Sequence, residues 1–159
     1  MSKISSKKWI LTVVTVGFVL FIFRNSMFPG PQSSSQSRYI MNLVNSIMAL
    51  WRIPYAFTEH FIRKTGHFTE YFILGLLLAV TIRAYRCRKR ESVFIELFFL
   101  LLVPVLDEFI QIYTPERGSS VADVLLDFSG GLVGMLVCLY IFFCKAKLKR
   151  SAAPLQEGQ

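Results

Sequence analysis

The feature that most constrains this chain is a series of four apolar stretches, each close to the length a helix needs to cross a bilayer. About 20 residues of helix cover the ~30 Å of hydrocarbon, where backbone hydrogen bonds must be closed within the segment. The spans are predicted at about Trp9 to Phe28, Arg63 to Ile82, Ser92 to Tyr113 and Ser120 to Cys144. The first is uninterrupted only as far as Phe23, because Arg24 follows. Hydrophobic residues make up 53% of the 159, and many of the 15 Phe fall in runs such as Phe21-Ile-Phe23 and Tyr140-Ile-Phe-Phe143. That is more apolar surface than a soluble core of this length uses, so the excess is assigned to lipid.

The net charge of +8 does not point to nucleic acid, because the basic residues flank apolar spans and form no stripe interleaved with stacking aromatics. Of the 18 Lys and Arg, twelve lie in three clusters: Lys3, Lys7 and Lys8; Arg83, Arg86, Arg88, Lys89 and Arg90; Lys145, Lys147, Lys149 and Arg150. The other six, Arg24, Arg38, Arg52, Arg63, Lys64 and Arg117, fall in the alternate connections. Basic residues concentrate on the cytoplasmic side, so the fold class predicted is an all-α membrane protein with four transmembrane helices, N-in/C-in. Residues 1–8 form a cytoplasmic N-terminus, 9–145 the membrane domain with an outer loop at 29–62, and 146–159 a basic cytoplasmic tail. No small-x-small cleavage site follows Phe23, so span one is read as an uncleaved anchor rather than a signal peptide. Cys87, Cys138 and Cys144 show no CxxC spacing, and neither a disulfide framework nor a thiolate metal site is expected.

In the outer loop, Pro29-Gly-Pro-Gln-Ser-Ser-Ser-Gln-Ser37 reads as extended and mobile. From Ile40 to Trp51, Ile40, Leu43, Val44, Ile47, Met48 and Trp51 repeat at three and four, which predicts an amphipathic helix lying in the outer headgroup region or packed on the bundle. A lid over a site is the sharper alternative.

Ionisable residues are costly within a span and tend to mark function. Arg63, His67 and Glu70 fall on one face of span two; Asp107, Glu108 and Gln111 occupy the last turns of span three, beyond Pro104; Asp123 and Asp127 are one turn apart in span four. With the predicted topology, all of them converge on the outer third of the bundle, joined there by Arg117. The short link from Thr114 to Ser120 makes spans three and four an antiparallel hairpin. Gly130 and Gly134 at GxxxG spacing permit a close helix contact just beneath the acids. Structural alternatives stand beside each reading. Ser120-Val-Ala-Asp123 matches a capping box, His67 and Glu70 fit a structural hydrogen bond, and Arg63 and Lys64, Lys64 more than Arg63, are read as reaching the outer headgroups. Glu96, near the inner end of span three, is expected to reach the basic loop or cytoplasmic water.

At these residues the chain resembles the VanZ family of bacterial membrane proteins. The resemblance rests on Arg63-Lys-Thr-Gly-His-Phe-Thr-Glu-Tyr-Phe-Ile-Leu-Gly75, on Asp107-Glu-Phe-Ile-Gln111, and on Arg117-Gly with Asp123-Val-Leu-Leu-Asp127-Phe-Ser-Gly-Gly131. It implies a multi-pass protein of the bacterial cytoplasmic membrane, linked through founding members to low-level resistance to teicoplanin-type glycopeptides. It implies no agreed biochemical activity.

Three functions fit the polar pattern. The first is a non-enzymatic envelope protein whose outer pocket binds a lipid-linked, peptide-like or glycopeptide ligand carrying both charge signs, with Arg63 and Arg117 at its edge. The second is an intramembrane hydrolase or transferase acting on an envelope lipid, with His67, Glu70, Glu108 and Asp127 as candidate ligands of a divalent cation and Mg²⁺ or Mn²⁺ the easier fit. No nucleophile elbow, phosphate loop or HExxH pattern supports it. The third, a small transporter or proton relay, is limited by acids that stop in the outer third.

Overall fold

The computed structural model describes residues 6–85 and 88–151, all in helices and short links: α1 (Ser6–Ser26), α2 (Gly30–Leu50), α3 (Glu59–Ala84), α4 (Lys89–Ile112) and α5 (Val121–Ser151). Arg86, Cys87, the first five residues and the last eight lie outside the described residues. Three helices, Ser6–Ser26, Glu59–Ala84 and Val121–Leu148, are long and apolar enough to cross a membrane. α4 is of similar length but carries Glu96, Asp107 and Glu108 within its apolar run, which sets it apart from the other three. α5 continues to Ser151, so the segment from 146 expected to be a tail begins as helix.

In α1 the buried residues Thr15, Ile22 and Ser26 follow spacings of seven and four, a single seam, while Trp9, Ile10, Val13 and Leu20 stay exposed. α3 begins with Thr58, whose hydroxyl accepts from the Phe61 N–H at 3.2 Å, and Glu59 in its first turn complements the helix dipole. Thr12 meets the Tyr85 hydroxyl, Thr15 meets Thr81 at 2.8 Å and Asn25 meets Glu70, so α1 and α3 run antiparallel.

The most extensive helix pair is α3 with α5. Phe68 faces Gly130 and Phe72 faces Gly134, so the two run parallel and touch through backbone. A Cβ at Gly134 would collide with the Phe72 carbonyl, and one at Gly75 with the Gly131 carbonyl. The small residues read from the sequence as a close contact thus serve the α3–α5 seam. α4 lies across this seam, with Leu100 against Gly131, and the core cluster of Tyr71, Leu74, Leu78, Leu100, Val103 and Met135 closes around it.

The outer-loop expectation needs correction. Residues 30–37, read as extended and mobile, form the first turns of α2. Pro31 lies in the first helical turn, where a missing N–H costs nothing because no partner exists there. The Gly30 N–H donates to the Pro115 carbonyl at 3.1 Å and Ser37 is buried, so tertiary contacts fix a stretch whose composition alone reads as coil. Farther along α2 the expected amphipathic helix is present, with Ile40, Leu43, Ile47 and Trp51 exposed and Val44 and Met48 half-buried. Asn45 closes its link to α3 by accepting from the Phe57 N–H at 2.8 Å and donating to the Phe57 carbonyl at 3.1 Å.

Candidate functional site

The antiparallel and parallel packings together bring the C-terminal ends of α1 and α4 to the N-terminal ends of α3 and α5. Ser26, His67, Asp107, Gln111 and Asp127 therefore meet at one end of the bundle, as the alternating direction of the spans predicts. Asp107 and Asp127 are fully buried, and His67 Nδ1 lies 3.8 Å from Asp127 Oδ2. One ligand atom from each of His67, Asp107 and Asp127 lies within 4.8 Å of the other two.

The hydrogen bonds sort the remaining candidates. Gln111 Nε2 donates to Asp107 Oδ2 at 3.2 Å and reaches Ser26 Oγ at 3.4 Å, so it holds Asp107 against α1. Glu70 does not pair with His67 as a local hydrogen bond; it accepts from Asn25 Nδ2 at 2.8 Å. Glu108, one residue from Asp107 and therefore turned by about 100° on the helix, accepts from the Ser120 N–H at 2.8 Å and ties the α4–α5 link. The Ser120 hydroxyl caps α5 by accepting from Ala122 N–H at 3.1 Å, but the reciprocal half of a capping box is absent, because Glu108 has taken the Ser120 N–H. Asp123 instead pairs with Lys64.

Lys64 is thus misread from sequence: it turns into the bundle end rather than toward headgroups. Asn25, Ser26 and Tyr71 are also missed. Asn25 and Ser26 follow Arg24 where span one was expected to leave the membrane, and their shared level with the acids was the available signal. Tyr71, one turn beyond His67, is fully buried, and its hydroxyl faces the Asp107 carboxyl with no partner within hydrogen-bond distance among the described residues. Of the four metal candidates named from sequence, His67 and Asp127 belong to the three-donor set, Glu70 and Glu108 do not, and Asp107 takes their place. At the opposite end of the bundle, Glu96 is buried rather than in water, with Arg83 of the expected basic cluster as its neighbouring charge.

Two hollows open beside this set. One of about 20 Å³, the room of roughly one water, is lined by Arg63, Lys64, His67, Arg117 and Asp123, among others. The other, about 170 Å³, lies under the first turns of α2 and is lined by Asn25, Ser33, Ser37, Arg63, His67, Glu70 and Arg117. Arg117 leaves the α4–α5 link to donate to the Asn25 carbonyl at 3.3 Å. Burial lowers the pKa of its guanidinium, while Asp107, Glu108 and Glu70 act in the opposite sense, as expected of a cation facing acids. The walls therefore offer two guanidinium groups, an imidazole and a carboxylate around one small space.

Three helices of membrane-spanning length, with a polar recess and buried ionisable groups at one end of the bundle, define a helical membrane protein. The family model described as VanZ/LLP1 matches residues 9–143, and the chain belongs to that family. No curated protein and no solved structure matches it.

Proposed function

We propose that the chain is a four-span protein of the bacterial cytoplasmic membrane, N-in/C-in, whose outer recess binds the charged headgroup of an envelope ligand. The observation that carries this reading is the 170 Å³ hollow with Arg63 and Arg117 on its wall and Glu70 opposite in charge beside them. Pockets for whole drug-sized ligands run to about 300–1,000 Å³, so the recess suits a phosphate, carboxylate or zwitterionic headgroup rather than an entire glycopeptide. Guanidinium pairs suit such anions because their donors match two oxygens at once. Protection against teicoplanin-type glycopeptides, implied by the family resemblance, then follows from holding an envelope component and not from trapping the drug.

The test has two arms. In nanodiscs, native mass spectrometry should retain polyprenyl phosphate, a phosphomonoester, on the wild type in preference to the phosphodiester phosphatidylglycerol, and lose it in Arg63→Ala and Arg117→Ala. In a host lacking the protein, wild type should raise the teicoplanin inhibitory concentration, and His67→Ala should abolish that at unchanged membrane abundance. Undiminished lipid retention in both arginine variants would reject the recess as the binding site. A second reading, an intramembrane hydrolase or transferase acting on an envelope lipid, is favoured by one observation: the buried carboxylates Asp107 and Asp127 sit next to His67, which itself lines the hollow.

A further inference from the structure

We infer that His67, Asp107 and Asp127 form a site for a single divalent cation, with Mn²⁺ the ion whose ligand preferences they fit best. The first ground is spacing. Three donor atoms from three helices lie within 4.8 Å of one another, which is the separation of two ligands on opposite sides of an ion at about 2.4 Å. A contraction of a few tenths of an ångström brings them to the shorter bonds of a smaller cation.

The second ground is what these side chains lack. Asp107 and Asp127 are fully buried, yet among the described residues Asp107 Oδ1, both carboxylate oxygens of Asp127 and His67 Nδ1 have no partner within hydrogen-bond distance, with the Tyr71 and Ser26 hydroxyls standing near Asp107. Buried polar atoms are nearly always partnered, and unpaired buried carboxylates are among the costliest groups a fold can hold. Among the described residues no cation pairs with either carboxylate: Lys64 pairs with Asp123, Arg117 donates to the Asn25 carbonyl, and Arg63 stands on the wall of the hollow. Two carboxylates and a dication sum to neutrality, which is the arrangement a low-dielectric bundle tolerates.

The third ground is support from behind. Gln111 donates to Asp107 Oδ2 and so fixes the carboxylate while Oδ1 has no hydrogen bond, as outer partners orient metal ligands. The glycine seam of α3 and α5 holds His67 and Asp127 at fixed separation. One imidazole with two carboxylates is harder than the sites zinc prefers and more nitrogen-rich than those of Ca²⁺ or Mg²⁺, so a first-row ion that accepts both donor types, with Mn²⁺ as the example, fits best. A six-coordinate ion would keep about three positions for water or phosphate oxygens, reachable from the hollow that His67 lines. The site does not depend on the proposed headgroup binding and extends beyond it.

The experiment titrates Mn²⁺ into the full chain in nanodiscs of neutral lipid, with no other ligand, and follows loss of the free-ion electron paramagnetic resonance signal. Wild type should take up a single Mn²⁺ per chain. Asp107→Asn and Asp127→Asn should weaken uptake by more than ~100-fold, and Gln111→Leu by ~10–100-fold, while Glu91→Gln, exposed in the first turn of α4 at the opposite end of the bundle, leaves it unchanged. A readout on folded protein guards against misfolded variants: electron spin-echo modulation from a coordinated histidine nitrogen should be present in wild type and in His60→Gln. A wild type that leaves the free Mn²⁺ signal at its buffer value overturns the site, as does bound Mn²⁺ without histidine modulation. Undiminished affinity in both aspartate variants would do the same. Since no lipid ligand is present, failure here leaves the headgroup test to stand or fall by itself.

Discussion

Replacing Gly130 by Ala should separate the two helices that carry His67 and Asp127. A Cβ there would stand 2.5 Å from the Phe68 carbonyl oxygen and 3.2 Å from its carbon, against ordinary contact that begins at 3.4 Å. The obstacle is backbone, so no rotamer change relieves it, and α3 must move from α5 by roughly 0.9 Å or the chain must bend. Overpacking of this kind costs about 1–3 kcal/mol. Gly130 is three residues past Asp127 and Phe68 directly follows His67, so the displacement also lengthens their 3.8 Å approach. Unfolding in mixed micelles with increasing dodecyl sulfate, followed by near-ultraviolet circular dichroism, reads the stability. Gly66→Ala is the control within α3, because nothing lies within 4 Å of an added Cβ there; it should be neutral or stabilising by up to ~1 kcal/mol. Equal stability of the two variants would refute the reasoning, since it would mean the α3–α5 seam is not in backbone contact.

Further outcomes follow from named contacts. The Lys64–Asp123 pair, with side chains only 26% and 19% exposed, should show a coupling of about 1 kcal/mol or more in a double-mutant cycle of Lys64→Met and Asp123→Asn. The Arg38–Glu59 pair, at 3.9 Å with 57% and 34% exposure, should show a coupling near zero by the same cycle. A cycle of Thr15→Val with Thr81→Val should give about 0.6 kcal/mol, the usual size of a hydrogen bond between membrane helices, from the 2.8 Å contact of their hydroxyls. Glu108→Gln keeps an acceptor for the Ser120 N–H and should cost less stability than Glu108→Ala, which leaves that donor bare; unfolding midpoints of the two variants compare them directly.

Much of this was legible in the sequence, and the reasons differ by element. The apolar runs announce α1, α3, α4 and α5 because a run of about 20 apolar residues closes its own backbone hydrogen bonds in lipid only as a helix, and the spacing of Arg63, His67 and Glu70 placed them on one face. The level at which three helices bring their acids together followed from alternating direction alone. What the pattern did not contain was rotation to within one residue. Asp107 and Glu108 are neighbours in a helix, and only the packing of α4 on α5 decides that the first faces His67 while the second turns to Ser120. The same limit hid Lys64, whose long side chain reaches inward or outward according to where Asp123 stands. Residues 30–37 were misread because Pro, Gly and Ser signal coil locally, whereas the Gly30 contact with Pro115 and the burial of Ser37 are tertiary facts.

The central claim is that imidazole and carboxylates from three helices share one space at the end of the bundle. Solid-state NMR on the chain in lipid tests it most directly, measuring dipolar dephasing between a ¹⁵N-labelled imidazole and ¹³C-labelled aspartate carboxylates in His60→Gln, where His67 is the remaining histidine. Dephasing fitting an Nδ1-to-oxygen approach near 3.8 Å, reduced in Asp127→Asn and reduced separately in Asp107→Asn, is the predicted result. An imidazole with no measurable coupling to any aspartate carboxylate would contradict it.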